Sequence, residues 1–532
     1  MAAGSTTAPA QQPDQHEERL GRLAGDPESG RRTAAGDVVS FTGATYFAQV
    51  LVFLAGLLQK GLLGPVGAGY WALMQTAWTY FTIAPLGTMN ATSRQIPAYR
   101  GLGDYQSAEE VADTGSSFSV LAVAVAGTLV AAVALIFGDS WAPELRYGLV
   151  LLGGLAPLRL FADCHKGIFM ATKRFDVSSI GVVLEAAIML VAQTLCVVAF
   201  GFYGMFLGIA LSILGLWVLW WRLGLVSWRR ASFRWRIDRS RIPELLSFGF
   251  PLLLQGQLWM LFMSIDNMIV AGFISVRDLG YYALAVSVTN YVLHMPRTLS
   301  ATLFPRMTEE FIKSGQIESI RRYATETQRV LAYALVPVFL GGAYFLVPVL
   351  IRHALPEFAP AIPIVRIMVA ASFLIALVAM PTKVLTTAGY RWGITALTVG
   401  CLVVNAAANF LAVAVFDWGL EGAAWATAFS YLVAMVTLTT YAMLQIGGPR
   451  EAAVHVGELL LVFVYVIGAA WAIEWVVGSG AQGLGADVLL SSGKLALFLV
   501  AITPWVVVAE RRYGVVRKPV GMVKRALERR RG

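Results

Sequence analysis

Charged residues inside long apolar segments are the positions in this sequence at which chemistry is to be expected, because an ionisable group is costly there. Arg159, Asp163, His165 and Lys166 lie together in one such segment. Arg159 and Asp163 are four residues apart, so a helix would place both on one face. The pair is either an anion-binding arginine oriented by an aspartate or a structural ion pair, and Lys166 is expected at the end of a span.

Arg297 is the main candidate for contact with an anionic ligand. It follows Pro296, and a proline inside a helix breaks the hydrogen-bond ladder and can open the backbone toward a cavity. Pro85 interrupts an earlier apolar segment, so both prolines are candidate hinges. The alternative for Arg297 is that its side chain extends to the inner membrane interface. His294 lies one turn away and is more simply explained as a hydrogen-bonded structural residue.

Two further acids and four further basic residues complete the candidate site. Asp266 and Glu185 are isolated in apolar surroundings, where a carboxylate could bind a coupling proton or cation; both, like Asp163, have a structural alternative. The basic candidates for a cationic groove, which could instead follow the excess of positive charge on the inner side, are Arg94, Arg306, Arg366 and Lys383.

No recognised catalytic motif is present in this sequence. We find no phosphate-binding loop, no zinc-protease motif and no nucleophile elbow, and the three cysteines match no metal or disulfide spacing. We therefore expect no catalytic residues, no metal and no cofactor, and we place the cysteines in the core. Short exterior loops also argue against a membrane glycosyltransferase or polymerase.

Long apolar segments must position these charges. The chain has 532 residues, of which 57% are hydrophobic and 14% charged, which is typical of a polytopic membrane protein. Apolar runs of about 20 residues predict membrane-spanning helices rather than a barrel. The net charge of +9 comes from Lys and Arg clustered between the runs, which indicates membrane topology rather than binding to nucleic acid.

Fourteen spans and two basic segments, a connector and a C-terminal tail, are predicted. We expect a disordered cytoplasmic tail at 1–37, a six-helix lobe at 38–223, a basic cytoplasmic connector at 224–243, a second six-helix lobe at 244–445, two further spans within 446–510, and a basic cytoplasmic tail at 511–532. Most Lys and Arg residues then fall inside, which places both termini in the cytoplasm. The exceptions predicted to lie outside are Lys60, Arg146, Arg277, Arg352 and Lys494.

A repeated motif relates the two predicted lobes. The segment GYYAL, which begins at Gly280, repeats GYWAL, which begins at Gly69, and the same offset pairs Pro296 with Pro85. Fixed-offset similarity indicates a structural repeat. Because each half has an even number of spans, both insert with the same orientation, which predicts a pseudo-two-fold axis along the membrane normal and a cavity between the lobes.

Several segments resemble a known transporter family. They are GLLGPVGAGYWAL from Gly61, DLGYYALA from Asp278, TLFPRMTEEF from Thr302 and GLEGAAWATAFS from Gly419. In order and spacing they resemble polysaccharide flippases of the multidrug, oligosaccharidyl-lipid and polysaccharide exporter superfamily. The resemblance implies alternating access of two lobes and transport of a polyprenyl-pyrophosphate-linked oligosaccharide to the outer leaflet of the cell membrane, with a polysaccharide polymerase or glycosyltransferases as partners.

Two relatives with the same fold are the alternatives. A flippase for the lipid-linked peptidoglycan precursor has an arginine in its first span, whereas the first span here, FTGATYFAQVLVFLAGLL, has none. A cation-coupled multidrug exporter has a characteristic acid in that span, whereas this chain has no Asp or Glu between Asp37 and Asp104. The connector and the C-terminal tail are expected to lie against anionic lipids of the inner leaflet.

Overall fold

The computed structural model describes residues 34–172, 174–225, 232–478, 480 and 483–514, without the side chains of residues 34–40, 305 and 306. Nearly all of the predicted tail at 1–37, most of the tail at 511–532 and part of the basic connector therefore lie outside the described residues. The described part of the chain is helical and contains no strand. This confirms the predicted all-helical membrane fold.

The first eight helices include those of the N-terminal lobe. Helices α5 and α6 are joined by a π-helical turn at Met189–Gln193, and α6 and α7 by a 3-10 turn at Gly201–Tyr203. The helices are α1 (Ala34–Phe81), α2 (Thr88–Gly101), α3 (Tyr105–Phe137), α4 (Pro143–Ala171), α5 (Phe175–Ile188), α6 (Thr194–Phe200), α7 (Gly204–Arg222) and α8 (Ile242–Phe262).

Ten further helices follow. Two more π-helical turns, at Leu331–Leu335 and Leu411–Val415, adjoin α12 and α15. The helices are α9 (Ile265–Phe273), α10 (Val276–Ser314), α11 (Glu318–Val330), α12 (Val336–Ala354), α13 (Ile362–Ala376), α14 (Ala379–Thr387), α15 (Arg391–Phe410), α16 (Gly419–Ile446), α17 (Pro449–Val477) and α18 (Leu484–Tyr513).

Among the described residues, eleven helical segments are long and apolar enough to cross a membrane. Two of them, Phe41–Phe81 and Phe175–Arg222, have 41 and 48 residues, which at 1.5 Å per residue is about twice the thickness of a bilayer core. Each is interrupted by a glycine with positive φ, Gly64 at 66° and Gly201 at 57°. With these two counted as two spans each, and with the less apolar α10 added, the described helices agree with the fourteen predicted spans.

The chain divides into two compact units whose boundaries interrupt two helices. The first unit is Met1–Leu63 with Met74–Gln257, and the second is Gly64–Leu73 with Leu258–Gly532. The division does not coincide with the expected lobe boundary at 243/244. The segment Gly64–Leu73 of α1 belongs to the second unit, and the first unit extends into α8 as far as Gln257.

The two copies of the repeated motif cross within the second unit. A Cβ atom at Gly69 would overlap the backbone carbonyl of Val276, and a Cβ atom at Gly280 would overlap that of Pro65. The two copies are 211 residues apart, so Gly69 corresponds to Gly280 and Pro65 to Val276. Exchanging the copies therefore turns each contact into the other. Such reciprocity is the signature of a two-fold axis, and it agrees with the predicted pseudo-symmetry.

Close helix packing accounts for two glycines in the spans, and the three cysteines lie in the core. Helices α3 and α4 approach so closely at Gly127 and Gly153 that a Cβ atom on either glycine would overlap the other's carbonyl. The three cysteines, Cys164, Cys196 and Cys401, are buried, as predicted.

The two candidate hinge prolines differ in their surroundings. Pro85 lies in the turn between α1 and α2, next to Leu86 and Gly87, which both have positive φ. Helix α10, in contrast, continues through Pro296. The helix therefore tolerates the loss of one backbone N–H at Pro296, as membrane helices can.

Candidate functional site

Helix α10 carries a polar stripe along one face. Asn290, His294 and Arg297 are spaced by four and three residues, so they lie on one side of the helix. Val292, on the opposite side, is buried, whereas Asn290 and Arg297 are exposed. The helix thus packs its buried side into the second unit and leaves Asn290 and Arg297 exposed, with His294 half-buried between them.

Arg297 has an amide as its partner. Its Nη1 donates a hydrogen bond of 3.3 Å to Oδ1 of Asn290. In the part of the chain that the structure describes, no carboxylate oxygen lies within 4.0 Å of the Arg297 guanidinium. A guanidinium without an acid keeps its full charge and most of its five donors for another ligand.

Lys383 also contacts α10. Its Nζ lies 5.2 Å from the centre of the Phe304 ring, which is a cation–π contact. The neighbouring Thr387 lies within hydrogen-bond distance of Thr308 on α10, at 3.4 Å between the hydroxyl oxygens. The structure therefore places Lys383 beside the C-terminal half of α10. The side chain of Arg306 lies outside the described part, and Arg94 is exposed on α2 in the first unit.

Arg366 is held in an ion pair elsewhere in the second unit. Its Nη2 lies 2.7 Å from Oε1 of Glu474 on α17, and its guanidinium lies over the Tyr344 ring. The other oxygen of Glu474 accepts from Lys494 on α18 at 2.9 Å. This network attaches the two additional C-terminal helices. Sequence reasoning could not find it, because Arg366 and Glu474 are 108 residues apart.

Four charges in the first unit form a neutral cluster. Arg159 contacts Oδ2 of Asp163 at 3.2 Å and is also paired with Glu185. Lys166 contacts the same two acids, at 3.2 Å for Asp163 and 2.7 Å for Glu185. The expectation that Glu185 is isolated is therefore wrong, because α5 brings it against two cations of α4. The geometry fits a structural ion cluster and leaves Arg159 already neutralised.

His165, next to this cluster in sequence, is fully buried. Its Nδ1 lies 2.8 Å from the carbonyl of Phe161, and its ring stacks on Trp220. Trp217 and Phe233 complete an aromatic enclosure. These contacts assign His165 a packing role.

Asp266 lies at the centre of a buried polar network in the second unit. The residue is 1% exposed, and its Oδ2 accepts hydrogen bonds from the Tyr282 hydroxyl at 2.6 Å and the Thr427 hydroxyl at 3.3 Å. The backbone N–H of Asn267 donates to Oδ1 at 2.9 Å. The carboxylate is thus held by neutral donors. No cation of the described chain lies within 4.0 Å of it.

Two asparagines of α15 extend this network. Asn409 donates to Oδ1 of Asn405 at 2.6 Å and to Thr427 at 3.3 Å. Asn405 and Asn409 are both fully buried, and Oδ1 of Asn409 has no hydrogen-bond partner among the described residues. Sequence reasoning missed these partners because they are uncharged. Two asparagines four residues apart in an apolar span were the available signal.

Tyr282 gives this network a direct link to the repeat. It is the third residue of the GYYAL motif, and the corresponding residue of the first copy is Trp71. The Tyr282 hydroxyl, which binds Asp266, is therefore absent from the first copy.

Across the described residues, no group of three or more His, Cys, Asp or Glu side chains is arranged to hold a metal ion.

Comparisons with known proteins give one family-model match and a shared fold. Residues 107–355 match a family model described as polysaccharide biosynthesis protein. The fold resembles that of an inward-facing multidrug resistance transporter of the MATE family, within the MOP superfamily, with a TM-score of 0.63 and 15% identity over 76% of this chain and 96% of that chain. No curated protein matches.

Two further solved structures support the same fold. An outward-facing multidrug resistance MATE transporter gives a TM-score of 0.51 and 15% identity over 83% of this chain and 98% of that chain. A MATE protein in the straight conformation gives a TM-score of 0.52 and 14% identity over 82% of this chain and 99% of that chain. The resemblance to the polysaccharide branch of this superfamily is confirmed by the family match and the shared fold.

Proposed function

From a polysaccharide-biosynthesis family match over residues 107–355 and the fold of MOP-superfamily transporters, we propose that this protein is a lipid-linked oligosaccharide flippase. Its substrate is an oligosaccharide linked through pyrophosphate to a polyprenyl lipid. By alternating access, it moves this substrate from the inner to the outer leaflet of the cell membrane for cell-surface polysaccharide biosynthesis. Both termini are cytoplasmic in this proposal.

The exposed stripe of α10 is the observation that carries the proposal. A polar face with an unneutralised arginine is costly against lipid hydrocarbon. Such a face is expected to line an aqueous path. A guanidinium presents planar paired donors that match phosphate oxygens. Arg297 therefore supplies the chemistry that a pyrophosphate linkage requires, with Asn290 holding its side chain.

The sugar moiety explains why a protein is needed. An unpaired hydroxyl in hydrocarbon costs about 2 to 7 kcal/mol, and an oligosaccharide carries many. Unassisted crossing is therefore negligible. A polar stripe along a spanning helix gives the hydroxyls hydrogen-bond partners while the polyprenyl chain stays in the bilayer.

A multidrug exporter is the second candidate, because the similar solved structures are described as multidrug resistance transporters. A peptidoglycan-precursor flippase is the third. An unpaired guanidinium repels cationic compounds and attracts anionic lipids. The α10 stripe therefore favours both lipid-linked substrates over a cationic drug.

Transport by purified protein in proteoliposomes distinguishes the three candidates. We expect a labelled lipid-linked oligosaccharide to become accessible to an external lectin much faster than in protein-free vesicles. A cationic dye and the lipid-linked peptidoglycan precursor serve as parallel substrates. Transport of the dye or of the peptidoglycan precursor alone would contradict the proposal.

Asp266 is the acid that we propose for coupling to a proton or a small cation. Taking a charge out of water is costly, so a buried carboxylate without a cationic partner is a place where a proton or cation can bind. The Tyr282 and Thr427 hydroxyls and the unpartnered Asn409 oxygen supply further oxygen atoms. Hard monovalent cations prefer such ligands over nitrogen or sulfur.

The coupling role is tested with Asp266→Asn. We expect wild-type transport to respond to an imposed sodium or proton gradient, and the variant to lose this response while remaining folded. Asp139→Asn is the matched control, because Asp139 is an exposed acid with 82% side-chain accessibility. An unchanged gradient response in Asp266→Asn would remove Asp266 from the coupling site without affecting the substrate assignment.

A further inference from the structure

The described end of the basic connector forms a strap of residues 232–241, without helix or strand, that is fixed to α3 through its backbone. The N–H of Arg234 donates to Asp113 at 2.7 Å, and the N–H of Arg236 donates to Ser117 at 3.3 Å. The N–H of Asp238 donates to the Thr114 hydroxyl at 3.2 Å. Because α3 binds the backbone of the strap, these contacts do not occupy its arginine side chains.

An aromatic stack fixes the strap from a second direction. Trp235 lies 5.9 Å from Phe161 with the two rings 10° from parallel, and Phe161 stacks in turn on Trp217 at 5.3 Å. Phe233 is buried beside them, whereas Trp235 remains 63% exposed. The strap therefore presents one face of an indole ring to its surroundings.

Three arginines of the strap, Arg234, Arg236 and Arg239, are exposed. Within the described residues, none of them has a carboxylate oxygen within 4.0 Å. Arg241 differs, because it pairs with Glu110 at 2.9 Å and Glu244 at 3.2 Å. The hydrogen bond to Glu110 raises the pKa of Arg241, so Arg241 is charged and neutralised by its neighbours.

The position of the strap along α3 indicates how deep the strap would lie in a membrane. Its anchors, Asp113 to Ser117, lie on α3 just before the apolar run that begins at Val120. One and two turns further along α3, Leu121 and Val125 are 50% and 53% exposed, as expected for side chains that face lipid. In a membrane, this position is expected to bring the strap to the edge of the hydrocarbon, near the phosphate groups.

We propose that the strap is a binding surface for the headgroups of anionic phospholipids. Its exposed guanidinium groups match phosphate oxygens, and an exposed indole is suited to the membrane interface. In the expected orientation these lipids belong to the inner leaflet, whose negative surface potential favours basic segments. This surface is separate from the α10 stripe and does not depend on which substrate is transported.

The test is the binding of phosphatidylglycerol and phosphatidylcholine to the full-length protein in detergent, titrated by native mass spectrometry. We expect tighter binding of phosphatidylglycerol. Each of Arg234→Gln, Arg236→Gln and Arg239→Gln should weaken it about five-fold, which corresponds to about 1 kcal/mol per charge, and the triple variant about 100-fold.

A control variant that removes three positive charges elsewhere distinguishes lipid binding at the strap from a general effect of net charge. Arg391, Arg450 and Lys313 are exposed on the same expected side of the membrane and outside the strap. Their triple substitution by Gln should leave the phosphatidylglycerol preference within about two-fold of wild type. Equal losses in the two triple variants, or no preference in the wild type, would overturn the proposal.

Two further measurements test the strap geometry. Ser117→Ala removes the side chain that receives the N–H of Arg236 and donates to the carbonyl of Arg234, so phosphatidylglycerol binding should weaken without any change of charge. Unchanged binding in a folded Ser117→Ala protein would contradict a docked strap. Complete displacement of the lipid by millimolar inorganic pyrophosphate would identify a site for soluble phosphate and overturn the assignment to lipid.

Discussion

Arg297 differs from the other intramembrane cations in its partners. Arg159 pairs with Asp163 and Glu185, and Arg366 pairs with Glu474. Ion pairs that are withdrawn from water hold helices together, and their charges are compensated. Arg297 has an amide partner and no acid within 4.0 Å in the described chain. At the scale of single residues, this difference is the reason for proposing Arg297 as the contact for the anionic substrate.

Arg297→Ala is expected to lower the rate of lipid-linked oligosaccharide transport about 10- to 100-fold. The reason is the loss of a charged hydrogen bond, which contributes about 1.5 to 3 kcal/mol. Arg297→Lys should retain part of the rate, because it keeps the charge and loses the planar fork. The measurement is transport in proteoliposomes at equal protein abundance. An unchanged rate in Arg297→Ala would exclude Arg297 from the substrate path.

At the scale of elements, α10 combines a spanning length with a polar face. It has 39 residues, enough to cross a bilayer, yet it is not among the segments that are apolar enough to be recognised as spans. The mean hydropathy of α10 is lowered by the polar stripe of Asn290, His294 and Arg297. A helix of this kind is stable in a membrane when its polar side faces water or protein.

Helices α17 and α18 are attached to the second unit by ion pairs. Arg329 contacts Glu458 on α17 at 3.0 Å, and Arg352 contacts the fully buried Asp487 on α18 at 2.9 Å. Glu474 joins the two helices to each other through Lys494, which is 2% exposed. The additional helices are therefore an integral part of this unit.

Glu474→Gln is expected to destabilise the protein by about 3 to 5 kcal/mol, because it leaves the cations of Lys494 and Arg366 without their acid. The measurement is thermal unfolding of the purified protein in detergent, followed by tryptophan fluorescence. Glu309→Gln is the control, because its pair with Lys313 is exposed and should contribute less than about 1 kcal/mol. Similar melting temperatures for the two variants would show that the Glu474 network is not stabilising.

Gly69→Ala and Gly280→Ala should each destabilise the second unit by about 1 to 3 kcal/mol, because a methyl group would overlap backbone atoms at the crossing of the repeated motifs. We expect the two variants to be destabilised equally, because the two contacts are equivalent by the pseudo-symmetry of the repeat. Gly272→Ala in α9 is the control, since a Cβ atom there meets nothing within 4 Å. Thermal unfolding measures all three. A stable Gly69→Ala or Gly280→Ala protein would argue against a tight crossing.

At the scale of the whole molecule, the repeat provides a shared scaffold with different chemistry in each copy. The glycines of the motif are retained at Gly69 and Gly280, whereas Trp71 corresponds to Tyr282 and Leu86 to Arg297. The first difference exchanges an indole N–H for a hydroxyl, and the second adds a guanidinium group to the second copy. The proposed substrate contact and the proposed coupling acid are therefore both in the second unit.

An imposed membrane potential should shift the distribution of a lipid carrying two negative charges. Each charge contributes about 2.3 kcal/mol per 100 mV, so an inside-negative potential favours outward movement by about 4.6 kcal/mol per 100 mV. The measurement uses proteoliposomes with a potassium diffusion potential set by valinomycin. Reversing the potential should reverse the direction of net transport. Insensitivity to voltage would contradict transport of an uncompensated anion.

Local periodicity made much of the fold predictable from the sequence. Apolar runs of bilayer length determine the spans, because a backbone in lipid must satisfy its own hydrogen bonds. The four-residue spacing of Arg159 and Asp163 determines that they meet, because a helix places such residues on one face. The repeat at Gly69 and Gly280 was likewise visible, since it rests on identity at a fixed offset.

Contacts between helices that are distant in sequence were decided by the tertiary structure. Glu185 reaches Arg159 and Lys166, and Glu474 reaches Arg366, only because their helices pack side by side. The sequence places each charge in a span and contains no information, by spacing alone, about which neighbouring span faces it. Packing therefore decides which intramembrane charges are neutralised, and it is packing that leaves Arg297 without an acid among the described residues.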